Sequence, residues 1–262
     1  MPFSMGFPNF KGKHAEDSMF RPEDFLAYLK RIGKFPKVKP PTGVIICYSA
    51  DLLDYVLKNY KTKKIEGLCE NMYSLKETDG KVAIIGKFGI GAPVAAAVLE
   101  ELIAFGAKKF IAVGMAGSLQ KHIKAGDIVV CDKAIRDEGT SHHYIKHSKY
   151  AFASKEMTEK IKRSLEKFKQ SHFVGTSWTI DACYRETVAE AKQYQREGVA
   201  TVEMEAAALF AVAKYRNVDV GVVFAISDSL AELEWQPSFH SKKTEKSLKI
   251  CFKAALDALL DM

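Results

Sequence analysis

Residues 81–118 read KVAIIGKFGIGAPVAAAVLEELIAFGAKKFIAVGMAGS. Two short apolar runs, Lys81 to Gly86 and Lys109 to Gly114, flank a helical pattern from Pro93 to Phe105. The runs are continuous rather than alternating, as a strand covered on both faces requires. The same rhythm extends outward. Further apolar runs occur at Gly43 to Cys47, Asp127 to Cys131 and Val220 to Ile226. Helical patterns lie at Ala50 to Asn59, Glu205 to Arg216 and Thr244 to Leu260. Strands alternating with helices in this way predict a single-domain α/β fold, with a mostly parallel mixed central sheet flanked by helices on both faces. Residues 1–42 read as an N-terminal arm, with a short amphipathic helix at Pro22 to Arg31 and a Pro/Lys break from Lys34 to Pro41. Residues 43–262 form the α/β domain.

Length and composition set the class. At 262 residues, 47% hydrophobic and 27% charged, the chain suits one large globular domain. No run of 18 apolar residues occurs, and Met1 to Phe10 lacks a charged flank and apolar stretch, so a cytoplasmic protein without membrane attachment is expected. Five scattered cysteines with no CxxC spacing predict neither a disulfide framework nor a zinc site. The net charge of +7 is carried mainly by lysines mixed with acids, which reads as a solvated basic face rather than a nucleic-acid footprint.

In sheets of this kind, ligands bind beyond the carboxyl ends of the strands. Unusual residues gather at those ends. Gly89-Ile90-Gly91-Ala92-Pro93 suits close approach of backbone to a ligand, or equally a plain strand-to-helix turn. A dinucleotide fingerprint is disfavoured, because Val94 stands where the third glycine belongs and the next strand ends in Gly114 rather than an acid. Glu203-Met204-Glu205 reads as core plus dipole-compensating acids, or as a carboxylate placed to accept a vicinal diol. Ser227-Asp228 reads as a cap or as a general acid. Residues Arg136 to Tyr144 pack charges, hydroxyls and two histidines into a polar, substrate-facing loop. No metal is expected there, since adjacent histidines do not easily share one ion.

Taken together, these clusters resemble the nucleoside phosphorylase-I family, which includes the uridine and purine nucleoside phosphorylases and related nucleosidases. The resemblance runs from about Gly43 to the C-terminus. It is densest over Gly89 to Tyr144, and Val202-Glu203-Met204-Glu205-Ala206 is similar to the family's ribose signature. The resemblance implies a phosphorylase/hydrolase-like fold and cleavage of the N-glycosidic bond of a purine or pyrimidine ribonucleoside, without cofactor or metal. It implies that Glu205 holds the ribose hydroxyls beside Glu203, Met204 packs on the sugar, and Ser227-Asp228 faces the base, Asp228 acting as proton donor to a purine. Gly91, Gly114 and Met115 fall in the ligand-facing loops. Cys183 and Arg185 fall in the base-contacting segment Thr179 to Glu186. His14 resembles a histidine that reaches a neighbouring subunit's site, implying a homo-oligomer, a dimer or a trimer of dimers. The chain departs from the family where phosphate binds: Leu52 and Ala112 replace arginines, and Met115 replaces a hydroxyl. Arg136 and Arg185 are the arginines left to rebuild an anion site. Phosphorolysis is the favoured expectation, with hydrolysis by water and a non-catalytic nucleoside-binding protein as alternatives.

Overall fold

The computed structural model describes residues 7, 8, 10 and 12–261; most of the Met1 to Phe10 stretch, read above as lacking a leader, lies outside them. In chain order the elements are α1 (Pro22–Arg31), β1 (Gly43–Cys47), α2 (Ala50–Asn59), β2 (Thr62–Lys64), β3 (Met72–Leu75), β4 (Val82–Gly86), α3 (Ala92–Phe105), β5 (Lys109–Ser118) and β6 (Ile128–Asp137). They continue as β7 (Tyr150–Phe152), α4 (Lys155–Lys167), β8 (Phe173–Ile180), α5 (Val188–Arg196), β9 (Thr201–Glu203), α6 (Ala206–Arg216), β10 (Asp219–Ser229), β11 (Gln236–Pro237) and α7 (Lys242–Leu260). All the strands belong to one mixed sheet. Its spatial order is β11-β10-β6-β8-β9-β5-β1-β4-β3-β2, with β7 beside β6. β10 also pairs with β5, so the path through β6, β8 and β9 closes on itself as a ring.

The long central pairings are parallel: β1 with β4 and β5, β5 with β10, and β6 with β8. Antiparallel pairings sit mainly where strands are short, at β2–β3, β3–β4, β5–β9, β6–β7 and β10–β11. β1 shows why the central runs read as continuously apolar. Val44 and Ile46 enter one core layer, while Ile45 and Cys47 enter the other. The first layer lies under α3 and α6, and the second under α2, α4 and α7. A third, smaller cluster around Trp178, Ile180 and Val202 sits at the ring beside α5.

Local chemistry fixes the helix ends that matter for the site. Ser49 caps α2 by accepting from Leu52 N, and Thr187 with Glu190 forms a capping box at α5. α6 is buried on all sides from Ala206 to Ala213, so it is held by packing rather than by an amphipathic stripe. It is tied to α3 by Arg216, whose Nε and NH2 donate to the two carboxylate oxygens of Glu100 at 2.6 and 3.0 Å. Of the arm, Leu26 on α1 is buried in the layer that contains α3. Among the described residues no helix is long and apolar enough to cross a membrane.

Candidate active site

The carboxyl ends of β4, β5, β9 and β10 meet at the start of α6. Gly91, in the loop between β4 and α3, has φ +100° and ψ 156°, a region that only glycine occupies without strain. Its N–H donates to Glu205 Oε1 at 2.6 Å. This contact joins two loops that are 114 residues apart. Glu205 immediately precedes α6 and is buried.

Glu203, at the end of β9, has a different task. Its Oε1 accepts from Thr179 Oγ1 at 2.5 Å and Ser177 Oγ at 3.1 Å. Its Oε2 accepts from the N–H groups of Glu205 and Ala206 at 2.8 and 2.7 Å. The side chain therefore anchors the helix start, and its capacity is spent on the protein. Burial pushes the Glu205 carboxyl up to about 8, reinforced by the charge of Glu203 and opposed by the Gly91 N–H. Burial pushes the Glu203 carboxyl up as well, but its four donors oppose the shift, so Glu203 is the better stabilised anion of the pair.

Beside this pair opens a cavity of about 510 Å³, within the usual size of a small-molecule site. β5 contributes Met115 to Gly117, β9 and its exit contribute Val202 to Met204, and β10 contributes Ser227 and Asp228. The loop after β8 adds Cys183, Tyr184 and Glu186, while the segment after β10 adds Leu230, Trp235 and Phe239. The register of β10 against β5 shifts between Ile226 and Asp228, leaving Ser227 as a bulge. Ser227 Oγ donates to Asp228 Oδ1 at 2.6 Å, and Trp235 Nε1 donates to Asp228 Oδ2 at 3.0 Å. Gly117 makes room for this acid, because a Cβ there would lie 3.0 Å from Asp228 Oδ2.

The structure thus brings Met115, Cys183, Glu203, Met204, Ser227 and Asp228 to one cavity, while Gly91 and Glu205, hydrogen-bonded to each other, are not among its lining residues, although Glu205 follows Met204 in sequence. Gly114 packs against Tyr48, whose hydroxyl is buried without a hydrogen-bond partner among the described residues. Two arginines lie elsewhere. Arg136 donates to Ser141 Oγ, Ser148 Oγ and the carbonyls of Ile145 and Lys146, so its guanidinium closes its own loop and does not line this cavity. Arg185 is exposed and lines an outer depression with Asp137, Asp181 and Glu190. His14 lies in a larger groove of about 1,240 Å³ between the arm and helices α3 and α6. That groove contains neither Glu205 nor Asp228, so size alone does not pick out the chemistry. Sequence reasoning assigns Trp235 and Tyr48 no role, and Glu186 enters it only as the end of the base-contacting segment. Trp235 carries no local signal, since its contact depends on the path of the chain after β10.

The profile of the phosphorylase superfamily matches residues 43–260. The chain belongs to this superfamily. It is an enzyme of the nucleoside phosphorylase class, a pentosyltransferase. Uridine phosphorylase of Escherichia coli (strain K12) is 27% identical over 194 residues, covering 68% of this chain and 77% of that protein. Purine nucleoside phosphorylase of Plasmodium vivax is 31% identical over 173 residues, covering 64% and 70%. Among solved structures, uridine phosphorylase from Vibrio fischeri ES114 superposes with a TM-score of 0.69 at 26% identity, over 86% of this chain and 92% of that one. Superfamily membership agrees with the resemblance drawn from the ribose signature at Glu203 to Glu205.

Proposed function

We propose that this nucleoside phosphorylase acts in the cytoplasm on purine ribonucleosides, with Glu205 holding the ribose and Asp228 facing the base. The observation that carries the reading is Asp228 itself: a carboxyl held by Ser227 and Trp235 across an otherwise largely apolar cavity from the Glu203–Glu205 pair. A ribose diol supplies two O–H donors, and a buried carboxyl that already accepts one N–H is stabilised as an anion by two more. Nucleoside binding therefore draws the proton off Glu205. Met204 is placed to pack on the sugar, and Trp235, Phe239 and Leu230 offer apolar surface to a bicyclic base. As the C1′–N9 bond stretches, the base gains electron density and the ribose becomes cationic, and Asp228 lies where a departing purine takes up a proton. Relatives of both specificities are similar to this chain, including the Plasmodium vivax purine enzyme and a guanosine phosphorylase of Halorubrum lacusprofundi at 30% identity over 152 residues. His14 joins this reading only through a second copy of the chain, so the active unit is inferred to be a homo-oligomer.

Hydrolysis of the same bond is the second reading, and one set of observations favours it. Leu52 and Ala112 are buried in the core, Met115 lines the cavity, and Arg136 is consumed by its loop. Among the described residues, no lysine, arginine or histidine lines the cavity. A desolvated dianion needs several charge-assisted donors. Base release from inosine, guanosine and uridine, assayed with and without phosphate, tests both readings. Phosphorolysis of a purine predicts phosphate-dependent release and ribose 1-phosphate. Free ribose in phosphate-free buffer at an undiminished rate establishes hydrolysis, and cleavage of uridine alone removes the purine assignment.

A further inference from the structure

Among the described residues, Glu186 is the one carboxyl lining the cavity that the helix anchor, the ribose reading and the base reading all leave unused. It ends the short 3-10 turn Cys183–Arg185 and directly precedes Thr187, the cap of α5. That location turns it toward the cavity, which it shares with Asp228. The two acids are held in opposite ways. Both oxygens of Asp228 accept hydrogen bonds, from a hydroxyl and from an indole N–H. Among the described residues, no group hydrogen-bonds the Glu186 carboxyl. An acid that is partly desolvated, without donors and beside a fixed carboxylate is arranged to keep its proton.

We propose that Glu186 is a second catalytic acid of this site, supplying the proton that a departing purine takes up while Asp228 remains the anion that orients it. This rests on the purine reading of the cavity. In the step, the C1′–N9 bond breaks and its electron pair passes into the base. The Glu186 proton is transferred to N7, and the base leaves neutral. The nucleophile bonds to C1′, and the Glu186 carboxylate regains a proton from solvent. Burial pushes Glu186 up to about 7, with the Asp228 and Glu190 carboxylates adding to the effect. A general acid is most effective near the working pH.

The charged groups around Glu186 are consistent with this role. Asp228 faces it from β10, Glu190 from the first turn of α5, and Glu203 lies across the cavity at the end of β9. All three are acids. Arg185, next to it in sequence, lines the outer depression instead.

The test compares inosine with p-nitrophenyl β-D-riboside, whose leaving group needs no proton. Glu186→Gln is expected to lower kcat on inosine by about 10²-fold or more and to cost far less on the nitrophenyl riboside. In the wild type, kcat on inosine should fall as pH rises through about 7, with no such limb for the nitrophenyl substrate. That wild-type comparison stands even if the variant does not fold. Equal losses on both substrates, or an inosine profile without the limb, overturn the assignment of Glu186. An active wild type with either result leaves the purine reading standing. A wild type that releases no base from any nucleoside overturns both.

Discussion

Gly91→Ala is expected to destabilise the protein by about 1–3 kcal/mol, because the backbone there lies in a region that an L-residue occupies only under strain. Crowding adds little. A Cβ built at Gly91 meets nothing closer than Pro93 Cδ, at 4.0 Å. In a domain of this size each kcal/mol shifts Tm by about 2–4 °C, so a central cost of about 2 kcal/mol lowers it by about 4–8 °C. The chain has two ways to respond. It either bears the strain and keeps the 2.6 Å contact to Glu205, or relaxes and turns the N–H away. The first response lowers Tm and spares KM. The second recovers stability but strips Glu205 of its donor, which raises its pKa further and weakens nucleoside binding. Thermal melts combined with KM for the nucleoside separate the two. A variant that melts with the wild type and binds nucleoside equally well would refute the reasoning, since neither strain nor the lost donor would then have a cost.

Glu205 also makes stability depend on pH. Its folded pKa is raised to about 8, so its stabilising contribution is complete below the ordinary carboxylate range and is lost as pH rises toward about 8. Between about pH 5 and about pH 9 the wild type should lose more Tm than Glu205→Gln, and parallel profiles would exclude the shift. Gly117→Ala puts a Cβ 2.9 Å from Leu230 Cδ1 and 3.0 Å from Asp228 Oδ2, so an overpacking cost of about 1–3 kcal/mol is expected together with impaired purine cleavage. A fully active Gly117→Ala enzyme would mean that Asp228 can move without consequence. Arg216→Met strands the buried Glu100 carboxylate and should cost about 3 kcal/mol in urea unfolding. Adding Glu100→Leu should recover most of that loss. Failure of the double variant to recover would locate the cost in packing rather than in the unpaired charge.

The central strands were legible because burial on both faces writes them as unbroken apolar runs, as at Val44 to Cys47. Those runs stop short of the structure's own strand ends. β5 continues through Met115 to Ser118 and β10 through Ser227 to Ser229, where polar and small residues replace apolar ones because the strand ends form the site. β7, β9 and β11 have only two or three residues each, too few to show a period, and they emerge from pairing rather than from pattern. In the site, the acids at 203, 205 and 228 stood out as carboxyls placed against apolar context. The two arginines lie away from this cavity. Arg136 lies in a polar stretch that looks ligand-facing, but its partners are carbonyls nine to ten residues onward, brought to it only when the loop closes. Glu186 and Trp235 were silent for the same reason: each acquires meaning from Asp228, which is 42 and seven residues away in sequence.

The bulge at Ser227 has a consequence for how such an enzyme changes. Up to Ile226, β10 is locked between two neighbours, and any shift of register there would turn core side chains to the wrong face. Past the extra residue, the chain no longer inherits that phase. The strand tip becomes an exchangeable fitting on a fixed shaft. Replacement of Ser227 and Asp228 leaves the shaft untouched, while deletion of one residue rotates the acid out of the cavity. On the proposed reading of Asp228, substitution at this tip is expected to change which base is released, and a change in its length to move the acid away from the base.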